Sequence, residues 1–206
     1  KGTGAWASER GISMGYPNSL MIAGLQARFT SNMKTKRENL SKIIALKKGD
    51  ATISIKKLKI IYDISRLINH HQGFEMIKNS NQIYGWNSDL HMITHLWSEG
   101  SIIKSGLMKT LEKEFKIKAS ILEMDIFKKY ILEAQTNWNS VLNYAAAKLI
   151  PIPCISSAWN FLISITQEKS SGNIIQAQRD YFGAHGIMTL NNKEGEIING
   201  PWRNKN

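Results

Sequence analysis

The sequence predicts an all-α fold, an elongated helical bundle. Only four prolines interrupt 206 residues, most stretches between turn signals repeat apolar residues three and four apart, and strand-like alternation is confined to Ala51–Ile55 beside Gly49-Asp50. The first two features suit helices, whose successive turns bring such residues to one face. An alternating run this brief reads as an extended link. A composition of 42% hydrophobic and 21% charged residues excludes intrinsic disorder and allows a sizeable buried core. No unit of about 20–50 residues recurs, which excludes a solenoid.

Taken in order, the spacing predicts helices over Gly4–Met14, over Asn18–Met33 after Tyr16-Pro17, and over Lys36–Ala45. From Lys56 to Asn79 the set Ile60, Ile64, Leu67, His71, Phe74 and Ile77 keeps a helical rhythm, with Lys57, Lys59, Glu75 and Lys78 elsewhere on the surface. Ser88 and Asp89 can cap a helix through Leu96, and Ser101 can open another through Phe115. A second long helix is expected from Met124 to Lys148. Its stripe is Phe127, Tyr130, Ala134, Trp138, Val141, Ala145 and Leu149, and Pro151 and Pro153 stop it. Cys154–Gln167 and Ile174–Ala184 complete the set. The domain reading is a helical body over 1–190 followed by a polar tail over 191–206. That tail is either a frayed end or an arm whose Ile197-Ile198 and Trp202 dock on another subunit.

The net charge of +11 calls for an anionic partner: a nucleic acid, a membrane surface or a phosphorylated metabolite. A single cysteine, Cys154, can neither close an intramolecular disulfide nor build a thiolate zinc site, which suits a reducing, cytoplasmic setting. No apolar run approaches the roughly 18 residues of a membrane span, and no leader pattern opens the chain. The chain begins with Lys1 rather than Met and reads as part of something longer.

Several motifs carry chemistry. Lys1-Gly2-Thr3-Gly4 joins an ammonium, a hydroxyl and two glycines ahead of a helix, an arrangement that suits phosphate, although it lacks the ending of a Walker A loop. Arg28 lies among apolar and small residues and needs a partner, either a carboxylate or a ligand. Arginine is scarce, six residues against 21 lysines, so its planar fork is reserved for few places. Gln176–His185 gathers polar, cationic and aromatic groups before a helix end. With Arg179 on that helix and His185 past it, both can reach one anion, or the segment is simply an amphipathic terminal helix. His91 and His95 have the i, i+4 spacing of metal ligands but no acidic neighbour completes the pattern, and no metal is expected. His70-His71 reads as one packed and one exposed ring. The pairs Lys47-Lys48 and Lys56-Lys57 lack interleaved aromatics and read as solvated faces rather than a nucleic-acid track. No serine or cysteine nucleophile motif is present.

Taken together, these segments resemble one family, the C-terminal helical domain of decarboxylating 6-phosphogluconate dehydrogenase. Lys1-Gly2-Thr3-Gly4-Ala5-Trp6 is similar to its Lys-Gly-Thr-Gly-Lys-Trp signature, Ala27-Arg28 to its following Ala-Arg pair, and Gln176–His185 to its Gln-Ala-Gln-Arg-Asp-Tyr-Phe-Gly-Ala-His segment. Gln72-Gly73-Phe74, Tyr84-Gly85-Trp86, Leu96-Trp97 with Gly100, and Pro151–Cys154 resemble further landmarks in the same order. The resemblance implies oxidative decarboxylation of 6-phosphogluconate to ribulose 5-phosphate with NADP, in a cytoplasmic homodimer that binds neither nucleic acid nor membrane. It implies that Lys1 and Arg28, with Thr3, hold the substrate phosphate, and that Arg179 and His185 reach the substrate of the partner subunit. The family's dinucleotide-binding domain and its acid and base residues precede the first signature, and no glycine-rich βαβ turn occurs here, so no catalytic residue is assigned. Ala5 stands where the family has a second Lys, Lys104 where it has Arg, and Asn199–Trp202 only loosely follows the family's His-x-x-Trp ending. The alternatives are a basic nucleic-acid-binding module and a purely structural dimerisation module.

Overall fold

A computed structural model describes residues 2–189 and 195–203. Among these residues there are ten α-helices, and the only β pairing is an isolated antiparallel bridge between Ile187 and Ile198. The fold is all-α. The chain forms two compact units, Lys1–Phe161 and Leu162–Asn206.

The first unit is built around α4 (Ile55–Tyr84), a helix of 30 residues. Ser54 caps its start, accepting from the Lys57 N–H, and Gly85, with φ of 65°, turns the chain out of it. The predicted stripe is too narrow. Ile64, Leu67, His71 and Phe74 are buried, but so are Ile61, Ile68, Gln72 and Met76, because α4 is covered from several sides. Asp125–Gln135 (α7), Trp138–Lys148 (α8) and the short 3-10 turn at Ile121–Glu123 pack against it. Full burial of one such aliphatic side chain is worth about 1.5–3 kcal/mol, so α4 is the backbone of this core.

The long helix expected over Met124–Lys148 is two helices. At the join the Asn137 side chain donates to Glu133 O at 2.7 Å, and its backbone N–H donates to Ala134 O, three residues back, at 2.9 Å. Both bonds displace the regular i to i−4 ladder. The break lets Trp138 turn fully inward against Trp159, with ring centroids 5.1 Å apart.

Leu90–Gly100 (α5) and Gly106–Glu114 (α6) pack on each other. Asp89 caps α5 as expected, but α6 starts at Ser105, whose hydroxyl accepts from the Met108 N–H. Ser101 instead closes the turn between them, donating to Trp97 O at 2.7 Å. An aromatic cluster of Phe74, Trp97 and Phe115 ties this pair to α4.

Two buried amides place the first helices. Thr3–Ser13 (α1) and Ser19–Ser31 (α2) are joined by Asn18, whose amide donates to Ala7 O at 3.1 Å and Ser8 O at 3.3 Å. Gly11 permits this contact, since a Cβ there would lie 2.2 Å from Asn18 Nδ2. Turned toward those carbonyls, the Asn18 side chain makes no cap hydrogen bond to α2. Gln72 of α4 supplies the cap from outside, accepting the Leu20 N–H at 3.1 Å and donating to Ser19 Oγ at 3.0 Å. Lys34–Ile43 (α3) follows and has no buried residue. Pro153–Thr166 (α9) leads into the second unit, whose helix is Gly172–Gly183 (α10).

Two outcomes are expected. Gln72→Leu leaves the buried Leu20 N–H unpaired and lowers unfolding free energy by about 1–3 kcal/mol in urea titration. The second concerns His71, which is 3% exposed, has no hydrogen bond to either ring nitrogen and lies against Phe161. Burial pushes its pKa below 6.5, against the opposing pull of Glu75 and with help from Lys78. The folded state then binds fewer protons than the unfolded one, so stability is full above about pH 6.5 and falls as pH drops toward the depressed folded pKa. A series of Tm measurements from about pH 7.5 to 5 should show this slope, and His71→Leu should flatten it.

Candidate functional site

In the first unit, α2 and α4 enclose a cavity of about 490 Å³. Its wall includes Gly4 at the start of α1, Gly24 and Arg28 on α2, and Tyr62, Arg66 and Asn69 on α4. The Gln72 contact sets the distance between these two helices, so it also sets the width of the cavity. Arg28 is exposed at the end of α2. Arg66 is held in place, its guanidinium 5.5 Å over the Tyr62 ring and 4.0 Å from Asp63 Oδ1. Two arginines thus line one cavity.

The start of α1 contributes a third cationic element. Gly2 precedes the helix in an extended conformation, no side chain caps it, and no acidic residue occupies its first turn. The Thr3 and Gly4 N–H groups come before the first helical donor, the Ala5 N–H, which bonds Gly2 O at 3.0 Å. Such an end favours an anion. Thr3 is exposed beside Gly4, while Lys1 lies outside the described residues. The structure therefore brings Gly4 to the cavity that Arg28 lines, whereas Thr3, its chain neighbour, is not among the lining residues.

The second unit carries the other pair. Arg179 is exposed on the last turns of α10 and donates to Gln176 Oε1 at 3.0 Å. The helix ends at Gly183, Ala184 adopts a left-handed φ of 53°, and His185 follows, exposed, past the end. The His185 ring lies over Gly183, where a Cβ would come within 2.7 Å of Nε2. Arg179 and His185 thus belong to one helix end.

Four residues escaped the sequence reading. Arg66 and Asn69 lie three apart on α4, and Tyr62 lies four before Arg66, a polar and aromatic stripe visible in the spacing but masked by the stronger apolar one. Asp180, inside the family-like signature, is fully buried, and its carboxylate binds backbone and side-chain donors far along the chain. No local signal marks it.

The histidine pair of α5 is engaged elsewhere. His91 Nδ1 is 2.9 Å from Glu112 O, and His95 Nδ1 is 2.9 Å from Glu112 Oε1, with Ser98 Oγ donating to Oε2 at 3.1 Å. The hydrogen bond from His95 holds the Glu112 pKa below its usual value. Among the described residues no group of three His, Cys, Asp or Glu side chains could hold a metal. Nor is any helix among them long and apolar enough to cross a membrane.

The class comes first: a solved Plasmodium falciparum 6-phosphogluconate dehydrogenase, studied alone, with NADP+ and with 6-phosphogluconate, matches with a TM-score of 0.87 at 23% identity. The match covers 98% of this chain and 45% of that one, and it identifies the fold as that of a helical domain within a larger dehydrogenase. The family is then specific. Residues 1–202 match the 6-phosphogluconate dehydrogenase C-terminal domain, and the chain belongs to that family. The decarboxylating 6-phosphogluconate dehydrogenase of Haemophilus influenzae is 31% identical over 209 residues, covering 98% of this chain and 43% of that protein. The Caenorhabditis elegans protein of the same name is 32% identical over 212 residues, with 98% and 44% covered. The chain spans less than half the length of these relatives.

Cys154 also lines the cavity, its Sγ 3.8 Å from Leu20 O, and burial pushes its thiol pKa up. Alkylation by iodoacetamide at neutral pH should accordingly run several-fold slower than for an unhindered free thiol, and mild denaturant should abolish the difference.

Proposed function

We propose that this chain supplies the substrate-phosphate grip and the dimer contacts of an enzyme that oxidatively decarboxylates 6-phosphogluconate to ribulose 5-phosphate with NADP. The observation that carries the reading is the shared cavity of Gly4, Arg28 and Arg66, in a chain whose family is named for that reaction. A phosphate dianion there meets the fork of Arg28, the Thr3 hydroxyl and the open N–H groups of α1, with Lys1 immediately before them. Each charge-assisted bond of this kind is worth about 1.5–3 kcal/mol. The net charge of +11 raises the local concentration of an anionic substrate in the same direction.

Arg179 and His185 complete the reading as a contribution to the site of a partner subunit. The second unit supports an association, because Ile174, Ile175, Tyr181, Phe182, Met188 and Ile197 are all exposed within it. Large apolar side chains gathered in so small a unit mark an interaction surface. Arg179 and His185 sit at the end of the helix that bears four of them.

NADP finds no fitting donor set among the described residues. They contain no βαβ unit and no glycine-rich turn from strand to helix, the arrangement that receives a dinucleotide pyrophosphate. The residues of this chain bind and orient the phosphate end of the substrate, and no hydride or proton transfer is assigned to them. The cytoplasm is the compartment this metabolic role implies.

Calorimetric titration of the chain with 6-phosphogluconate tests the reading. Arg28→Ala and Arg179→Ala should each weaken binding by about 10- to 100-fold, equivalent to about 1.5–3 kcal/mol. Sedimentation should show a dimer, and the chain on its own should not reduce NADP. A dimer to which the sugar phosphate does not bind would leave only a structural module, and strongly salt-dependent retention on DNA would favour the nucleic-acid alternative.

A further inference from the structure

Among the described residues of the second unit, Asp180 is the most deeply buried charged group, with 0% exposure. An ionised carboxylate in that position is unfavourable unless donors surround it. Asp180 Oδ1 accepts the Gly186 N–H at 2.7 Å, and Oδ2 accepts the Gly200 N–H at 2.8 Å and the Trp202 Nε1–H at 2.8 Å. These donors lie six, 20 and 22 residues along the chain. One carboxylate therefore joins the end of α10, the loop that follows it and the C-terminal arm 195–203.

The backbone around it is shaped for that junction. Ile187 and Ile198 exchange both backbone hydrogen bonds, at 2.7 and 3.0 Å, which aligns the loop with the arm. Gly186 has a φ of +76°, and a Cβ on it would strike Ile197 Cγ2 at 2.1 Å. A Cβ on Gly200 would strike the Trp202 ring at 2.2 Å. Both backbone donors to Asp180 are thus at positions where no larger residue fits the observed packing. Gly186 is held from its other side as well, since its carbonyl accepts from Gln176 Nε2 at 2.6 Å, and Gln176 Oε1 in turn holds Arg179. His185 is the residue next to this doubly tethered glycine.

We infer that Asp180 is a positioning residue for the anion-binding end of α10, and that the arm 195–203 is a working part of that half-site, because Gly186, Gly200 and Trp202 fix Arg179 and His185 through the Asp180 carboxylate. Arg179 is its chain neighbour, and Gln176 links the Arg179 guanidinium to the loop that Asp180 anchors. The ligand, a sugar phosphate, rests on the function proposed above, whereas the mechanical linkage does not.

Two readouts on the 206-residue chain separate these statements. The first is the heteronuclear NMR signature of the His185 ring and the Trp202 indole N–H, recorded without ligand for wild type, Asp180→Asn, Trp202→Phe and Arg179→Ala. Asp180→Asn replaces one of the two acceptor oxygens with an NH2 group, which donates and cannot accept, so the His185 ring and Trp202 indole signals should both move. Trp202→Phe removes one of these donors and should move the His185 signals less, in the same direction, and it serves if Asp180→Asn does not fold. Arg179→Ala should leave the Trp202 indole signal in place. The second readout is affinity for 6-phosphogluconate, which Asp180→Asn should weaken by about 10-fold or more and Trp202→Phe by less. His185 signals unchanged in both Asp180→Asn and Trp202→Phe would overturn the inference. Wild-type chain that ignores 6-phosphogluconate, with His185 still responding to Asp180→Asn, would sink the proposed ligand and keep the linkage.

Discussion

Gln72 commits both ends of one buried amide to the start of α2, accepting from Leu20 and donating to Ser19. A helix start usually takes its cap from its own chain, through the residue just before it. Here that residue, Asn18, is turned away to bind the carbonyls of α1. The cap is therefore supplied across the fold, and one side chain does two jobs: it satisfies an orphan N–H and it sets where α2 lies along α4. The cavity with Arg28 on one wall and Arg66 on the other exists because those two helices are held in that relation. Asn18 extends the same logic to α1, whose amino end brings Gly4 to the same cavity.

The second unit solves a similar problem with a charge in place of an amide. A carboxylate can accept several N–H groups at once from segments distant in sequence, which suits a small unit with little apolar interior. Ala184, left-handed at φ 53°, and Gly186, at φ 76°, give the chain its reversal after α10. The strain of a non-glycine residue there, about 1–2 kcal/mol, is offset by the bonds that follow. Arg28, Arg179 and His185 are exposed, while Gln72 and Asp180, the polar groups that place their elements, are buried. The chemistry thus faces outward from fixed supports.

Helix existence was legible in the sequence almost throughout, because an apolar period of three and four survives without knowledge of the partners. Boundaries were legible where one residue decides them, as with Asp89 at α5 or the prolines after α8. They failed where two residues compete. Ser101 and Ser105 can both cap, and only the packing of α6 on α5 selects the second. The break at Thr136-Asn137 was hidden because Phe127, Ala134, Trp138, Val141 and Ala145 remain buried on both sides of it, so the stripe reads as one helix. The site divides the same way. Arg28, Arg179 and His185 were visible as scarce cationic or imidazole groups in recognisable segments. Gln72 and Asp180 act through partners remote in sequence, which no local pattern announces, while Arg66, whose partners Tyr62 and Asp63 lie on its own helix, was masked by the stronger apolar stripe of α4. Lys1, the first residue of the phosphate-like signature, lies outside the described residues.

Trp202 links the arm to Asp180, and the Gly-Thr-Gly segment leads into the helix whose Gly4 lines the cavity. Affinity handles or fluorescent reporters attached beside either segment would therefore crowd one of the two cationic centres. The exposed surface of α3, which buries none of its side chains, is the place to attach a label without touching either.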